Sequence, residues 1–231
     1  MEPNAQPGGT RQRRHFGRRK GPALSAYQSG LLETLLPQLR MDPEPGRDPR
    51  AYFSPGLSEV WLEVGFGGGE HLLWQAQANP RIGIIGAEPY VSGVAKLLSK
   101  LAADERVSNI RLYTEDAGDI IAALPDACLG RVFVLFPDPW PKTRHHKRRF
   151  VQRESLDRLA ELMIPGAELR LATDDPSYLP WMVEQACIHP GFDWLAEGPA
   201  DWRQRPADWP QTRYEKKMLA GKPTFLRLRR R

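Results

Sequence analysis

Residues 60–70 read VWLEVGFGGGE, a short apolar run that ends beside an acid, Glu63, and breaks on Gly65, Gly67, Gly68 and Gly69. A run of this length and composition reads as a buried strand. Glycines permit backbone conformations and a closeness of approach that a side chain forbids, which places a ligand against the turn. The dinucleotide fingerprint G-x-G-x-x-G needs glycine at position 70, where this chain has Glu70. Acids on both sides of the turn also repel a pyrophosphate resting on the following helix N-terminus. The turn therefore suits an uncharged or cationic ligand, and a nicotinamide-dinucleotide enzyme fails at Glu70.

Similar runs recur outward from this stretch: IGIIGA (82–87), IRLY (110–113), VFVLF (132–136) and ELRLA (168–172). Between them apolar residues fall at spacings of three and four, as in Val91, Val94, Leu97, Leu98 and Leu101, or Leu156, Leu159, Leu162 and Met163. Strand and helix in alternation predict a parallel sheet covered on both faces. FDWL (192–195) and FLRLR (225–229) predict a closing antiparallel hairpin joined by a long Trp/Pro-rich loop without a helix. The expected fold is α/β, a doubly wound, mostly parallel seven-stranded sheet. Ser25 is placed to cap a first helix, and residues 41–55 read as a Pro-rich linker.

The 231 residues, 41% of them hydrophobic, fit one domain over 25–231 behind a basic, disordered tail at 1–24. No apolar stretch approaches the roughly 18 residues of a membrane span. The first 22 residues lack the apolar core of a signal peptide, so the reading is cytoplasmic. Cys128 and Cys187 show no metal-ligand spacing and read as reduced core thiols, so no metal is expected.

Charge is unevenly placed. Residues 1–22 carry a net +5, residues 142–149 another +5 and the last five residues +4, leaving −9 on everything else. An acidic body with three basic patches implies a polyanionic partner met at defined places.

Ligands of such sheets bind beyond the carboxyl ends of the strands. Glu63 ends the first run. Glu88 ends the second, placed to accept both hydroxyls of a ribose, and Glu115-Asp116-Ala117 follows the third, placed to accept from an adenine amino group. Three carboxylates without a P-loop describe a pocket for a cationic adenosine, which is S-adenosylmethionine. The fourth run breaks on Pro137-Asp138-Pro139-Trp140 and continues into PKTRHHKRR (141–149), an acid at a strand end with a cationic tract behind it.

With these motifs in order, EVGFGGG, AEP, EDA, FPDPWPKTRHHKRRFVQ, ATDD and TRYE, the chain resembles the class I methyltransferases with their Rossmann-like fold. Within them it resembles the tRNA (guanine-N7)-methyltransferases, over roughly Leu57 to Phe225. The resemblance implies that Glu63, Gly65, Gly67, Glu88, Asp116 and Asp138 contact S-adenosylmethionine, leaving S-adenosylhomocysteine as product. It further implies that Asp138 is catalytic, that Lys142, Asp174, Thr212, Arg213, Tyr214 and Glu215 bind substrate, and that Arg144, His145, His146, Lys147, Arg148 and Arg149 touch tRNA. Asp116 is preferred to Glu115 because it precedes Ala117, and Asp174 to Asp175 because it follows Thr173. The implied target is guanosine 46 of tRNA, and a monomer is favoured. An amino-methyltransferase acting on adenine or cytosine would share the adenosine pocket but prefer two consecutive prolines in the turn. A noncatalytic RNA-binding module would have no need of the three acids.

Overall fold

The computed structural model describes residues 17, 19, 21–104, 106–217 and 220–231, without the side chain of Lys217. The chain runs through α1 (Ala26–Thr34), α2 (Leu36–Leu39), β1 (Glu59–Val64), α3 (Glu70–Ala78), β2 (Ile82–Ala87), α4 (Val91–Leu101), β3 (Ile110–Tyr113) and α5 (Ala117–Ala123). It continues through β4 (Leu129–Leu135), α6 (Arg153–Leu162), β5 (Met163–Thr173), α7 (Leu179–Met182), β6 (Phe192–Trp194), α8 (Ala200–Arg203), α9 (Arg213–Lys217) and β7 (Thr224–Arg230).

The strands form one sheet in the order β3-β2-β1-β4-β5-β7-β6, with β7 running against its two neighbours and the other pairs parallel. The expected seven-stranded α/β fold and its closing antiparallel pair are therefore present. Chain order reverses between β1 and β4, which opens a crevice at their carboxyl ends.

Successive side chains of a strand face opposite sides of the sheet. Val60, Leu62 and Val64 accordingly pack with Ile120, Leu156 and Leu159 on the side of α5 and α6, whereas Trp61 packs with Leu72, Leu97 and Leu98 on the side of α3 and α4. Glu63 shares the parity of Trp61, so it enters the α3 side. In β2, Ile84 and Ile85 belong to opposite cores, which is why IGIIGA is apolar throughout. At α1, Ser25 accepts from the Gln28 amide while the Gln28 side chain accepts from the Ser25 N–H, the reciprocal cap its position predicts.

Two segments differ from the sequence reading. The stretch 41–55 is no free linker: Met41 is fully buried, its amide donates to the Leu112 carbonyl at 2.9 Å, and Pro49–Tyr52 makes a 3-10 turn against the sheet. The loop before β7 contains α8 and α9, each of five residues or fewer, too short for apolar periodicity to register. Of the tail at 1–24, residues 1–16, 18 and 20 lie outside the described residues; the Arg19 carbonyl accepts from the Val91 amide at 3.1 Å. Among the described residues, no helix is long and apolar enough to cross a membrane.

Candidate active site

A cavity of about 830 Å³ lies at the switch point, and its walls include Glu63, Gly65, Gly67, Glu88, Asp116, Phe136, Asp138, Thr212 and Tyr214. All six residues expected at the cofactor thus share one cavity. Gly65 and Gly67 take φ of 72° and 54°, in the left-handed region that favours glycine. A Cβ added to either would meet nothing within 4 Å, so the turn leaves open space on its ligand side.

Glu88 fixes this turn. Its two carboxylate oxygens accept from the Gly67 amide at 2.8 Å and the Tyr90 amide at 2.9 Å. Burial pushes its pKa above the ordinary carboxylate value, with these two amides opposing the rise. Each oxygen keeps a second lone pair for a ligand hydroxyl.

Glu63 is engaged by a residue that the sequence reading passed over. His71, on the first turn of α3, meets Glu63 Oε2 through Nδ1 at 2.8 Å, with both side chains buried. Its Nε2 faces Gln75 Nε2 at 3.1 Å, and that amide group also donates to the Asp208 carbonyl at 2.9 Å. The Asp208 carbonyl can only accept, so the NH₂ of Gln75 must point this way and His71 Nε2 must accept. The imidazole proton then sits on Nδ1 and is donated to Glu63. The parity of Glu63 in β1, and a position in the first turn of the next helix on the same face, are the signals by which His71 could have been found.

Asp116 caps α5, accepting from the Gly118 amide at 2.8 Å, and lines the cavity. Glu115 points to the tail and pairs with Arg19 at 3.1 Å. Asp175 is occupied by the Ser177 amide, the Ser177 hydroxyl and the Tyr178 amide. Buried Asp174 instead accepts from the Ala220 amide at 3.3 Å, in the stretch between α9 and β7.

Asp138 is exposed at the cavity mouth on a turn flanked by two residues of positive φ, Phe136 at 51° and Trp140 at 43°. Bulky side chains rarely adopt this conformation, and such strain clusters at functional sites. The Tyr214 ring lies 5.2 Å from that of Phe136. Burial, then the charges of Asp174, Asp138 and Asp175, push the Tyr214 phenol above its usual value. Thr212 Oγ1 accepts from the Glu215 amide at 3.2 Å. Buried Glu215 pairs with Arg205 at 2.9 Å through Oε1, while its Oε2 has no hydrogen-bond partner among the described residues. Lys142 and Arg213 are exposed, and the cavity walls do not include Lys142, Asp174, Arg213 or Glu215.

The basic tract is a 3-10 turn over Thr143–Arg148 that sorts its charges. Lys142, Arg144 and Lys147 are exposed. His145 and His146 are half-buried against Trp140 and Trp181, at ring separations of 5.9 and 5.4 Å. Arg148 lies 5.0 Å over the Trp140 ring and lines the cavity. Arg149, expected among the RNA-contacting residues, is only 1% exposed, unlike Arg144 and Lys147. Burial pushes the thiols of Cys128 and Cys187 up to about 12 and about 11, so both stay protonated at neutral pH.

A family model described as "Putative methyltransferase" matches residues 58–228. The chain is 51% identical over 231 residues to the tRNA (guanine-N(7)-)-methyltransferase of Rhodospirillum rubrum, covering 96% of this chain and 89% of that protein. It is 50% identical over 222 residues to the enzyme of the same name from Paramagnetospirillum magneticum, covering 94% and 93%. Among solved structures, the 16S rRNA methyltransferase KamB superposes with a TM-score of 0.55 at 18% identity, covering 83% of this chain and 100% of that one. A mutant 16S rRNA (adenine(1408)-N(1))-methyltransferase from Catenulisporales acidiphilia, crystallised with cosubstrate SAM, gives 0.51 at 18% identity, covering 76% and 86%. At such identities the structural likeness concerns the fold alone.

Proposed function

The chain belongs to the tRNA (guanine-N7)-methyltransferase family, and from that premise we propose that it transfers the methyl group of S-adenosylmethionine to N7 of guanosine 46 in cytoplasmic tRNA. The observation that most supports this reading is that Glu63, Glu88, Asp116, Asp138 and Tyr214 share one cavity beside an open glycine turn.

The residues fit this cofactor. Glu88 has lone pairs for the ribose hydroxyls, Asp116 for the adenine amino group, and Glu63 carries negative charge suited to the cationic half. When bound, S-adenosylmethionine supplies an electrophilic methyl group on a sulfonium. Guanine N7 already presents an in-plane lone pair, so no residue has to remove a proton. Asp138 has two tasks: to hold the base in line and to stabilise the positive charge that develops on the purine.

Guanine also presents N1–H and an amino group as donors, a pattern adenine lacks. Buried Asp174 and Glu215 are the acids that the family resemblance assigns to it, and Tyr214, on the cavity wall, supplies a ring face for a base splayed out of a loop. Thr212 caps the short helix that carries Tyr214 and Glu215. Lys142, Arg144 and Lys147, with Arg213, face outward to bind phosphates and supply affinity without sequence information.

Unmodified tRNA transcripts with guanosine or adenosine at position 46 test the reading. Methyl transfer from S-adenosylmethionine should occur on the first and be absent from the second. Equal incorporation into both would contradict the proposed target.

A further inference from the structure

The turn Pro137-Asp138-Pro139-Trp140-Pro141 is poor in hydrogen-bond donors, because its three prolines have no N–H. It is also held between two left-handed residues, Phe136 and Trp140. A strained turn that cannot brace itself persists only if its surroundings over-determine it. Arg149 reaches it from inside the protein. Its Nε–H donates to the Pro139 carbonyl, next to Asp138, at 2.7 Å.

Arg149 is itself locked in place. Its guanidinium lies 4.8 Å over the ring of Tyr178 and 5.1 Å over that of Trp181. Both rings are tied to the following backbone: the Tyr178 hydroxyl accepts from the Val151 amide at 3.1 Å, and Trp181 Nε1–H donates to the Val151 carbonyl at 2.6 Å. The Gln152 side chain donates to the Arg149 carbonyl. A planar cation packed against two aromatic rings has little freedom, and lysine cannot reproduce its planar stacking or the direction of its Nε–H donor.

We propose that Arg149, although it lies in the basic tract, is a positioning residue for Asp138. It fixes the Pro139 carbonyl so that the carboxylate stands where the base arrives, and it contributes no phosphate contact. The proposal rests on the catalytic reading of Asp138.

Arg149→Lys and Arg149→Gln would be measured in the full chain with saturating tRNA and S-adenosylmethionine, together with Asp138→Asn and the Asp138→Asn/Arg149→Lys double variant. Both Arg149 variants should lower kcat about 10-fold or more, the scale of a small misplacement of a reacting group. The tRNA KM and the slope of log affinity against log salt should stay unchanged. On the Asp138→Asn background, Arg149→Lys should cost less than about 2-fold further, because residues that act as a unit are non-additive. A loss through general destabilisation multiplies equally in both backgrounds, so equal costs overturn the proposal. So does an Arg149→Gln variant of normal kcat whose salt slope is flatter by about one unit, the mark of a lost phosphate contact. An Asp138→Asn protein as fast as wild type removes this proposal together with the reading on which it rests.

Discussion

Asp138→Asn should slow methyl transfer by about 10²-fold or more, the usual consequence of deleting one preorganised electrostatic contact. The substitution keeps the size, turns one acceptor oxygen into an NH₂ donor and removes the charge opposed to the cation that develops on guanine. Asp138 is exposed at the cavity mouth and caps no helix, so the fold should be untouched. Affinity for tRNA, set mainly by phosphate contacts, should survive. Single-turnover rates at saturating concentrations of both substrates isolate the step. N7 carries no proton, so the wild-type rate should lack a rising limb with the pKa of a general base near neutrality. A mutant as fast as wild type removes Asp138 from catalysis, and one slow only through lost RNA binding reassigns it to structure.

Glu88→Ala should weaken S-adenosylmethionine binding about 10- to 100-fold, because hydrogen bonds to a charged group are each worth about 1.5–3 kcal/mol. Two effects act together. The proposed ribose acceptor is lost, and the Gly67 and Tyr90 amides lose the carboxylate that holds the glycine turn against β2. Glu88 lies at a strand end rather than within either hydrophobic core, so thermal unfolding should remain cooperative. Calorimetric titration decides, and unchanged affinity removes Glu88 from the site. NADH should show no binding to either protein.

The sheet was legible because parallel strands buried on both faces are apolar without interruption, as in IGIIGA, and because Gly65 and Gly67 mark the turn where the chain leaves β1. The acids that share the cavity were legible for a related reason: Glu63 and Glu88 lie at strand ends, and the switch point brings those ends together. The choice of Asp116 over Glu115 has a local cause, since a short acid at that position caps α5 and is drawn inward. What the sequence hid depended on contacts between distant segments. The stretch 41–55 looked like a linker because Leu112, which Met41 bonds, lies about seventy positions along the chain. Arg149 looked like its cationic neighbours, and only the placement of Tyr178 and Trp181 turns it inward. His71 was hidden because a lone histidine on a helix carries no mark of the Glu63 carboxylate it meets.

The most direct test of the account is product identification. Unmodified tRNA would be incubated with this protein and S-adenosylmethionine, digested to nucleosides for mass spectrometry, and the modified position mapped in the intact chain. The account predicts one methyl group per tRNA, present as 7-methylguanosine at position 46. Methylation on an exocyclic amine or another ring nitrogen, or 7-methylguanosine at a different position, would contradict it.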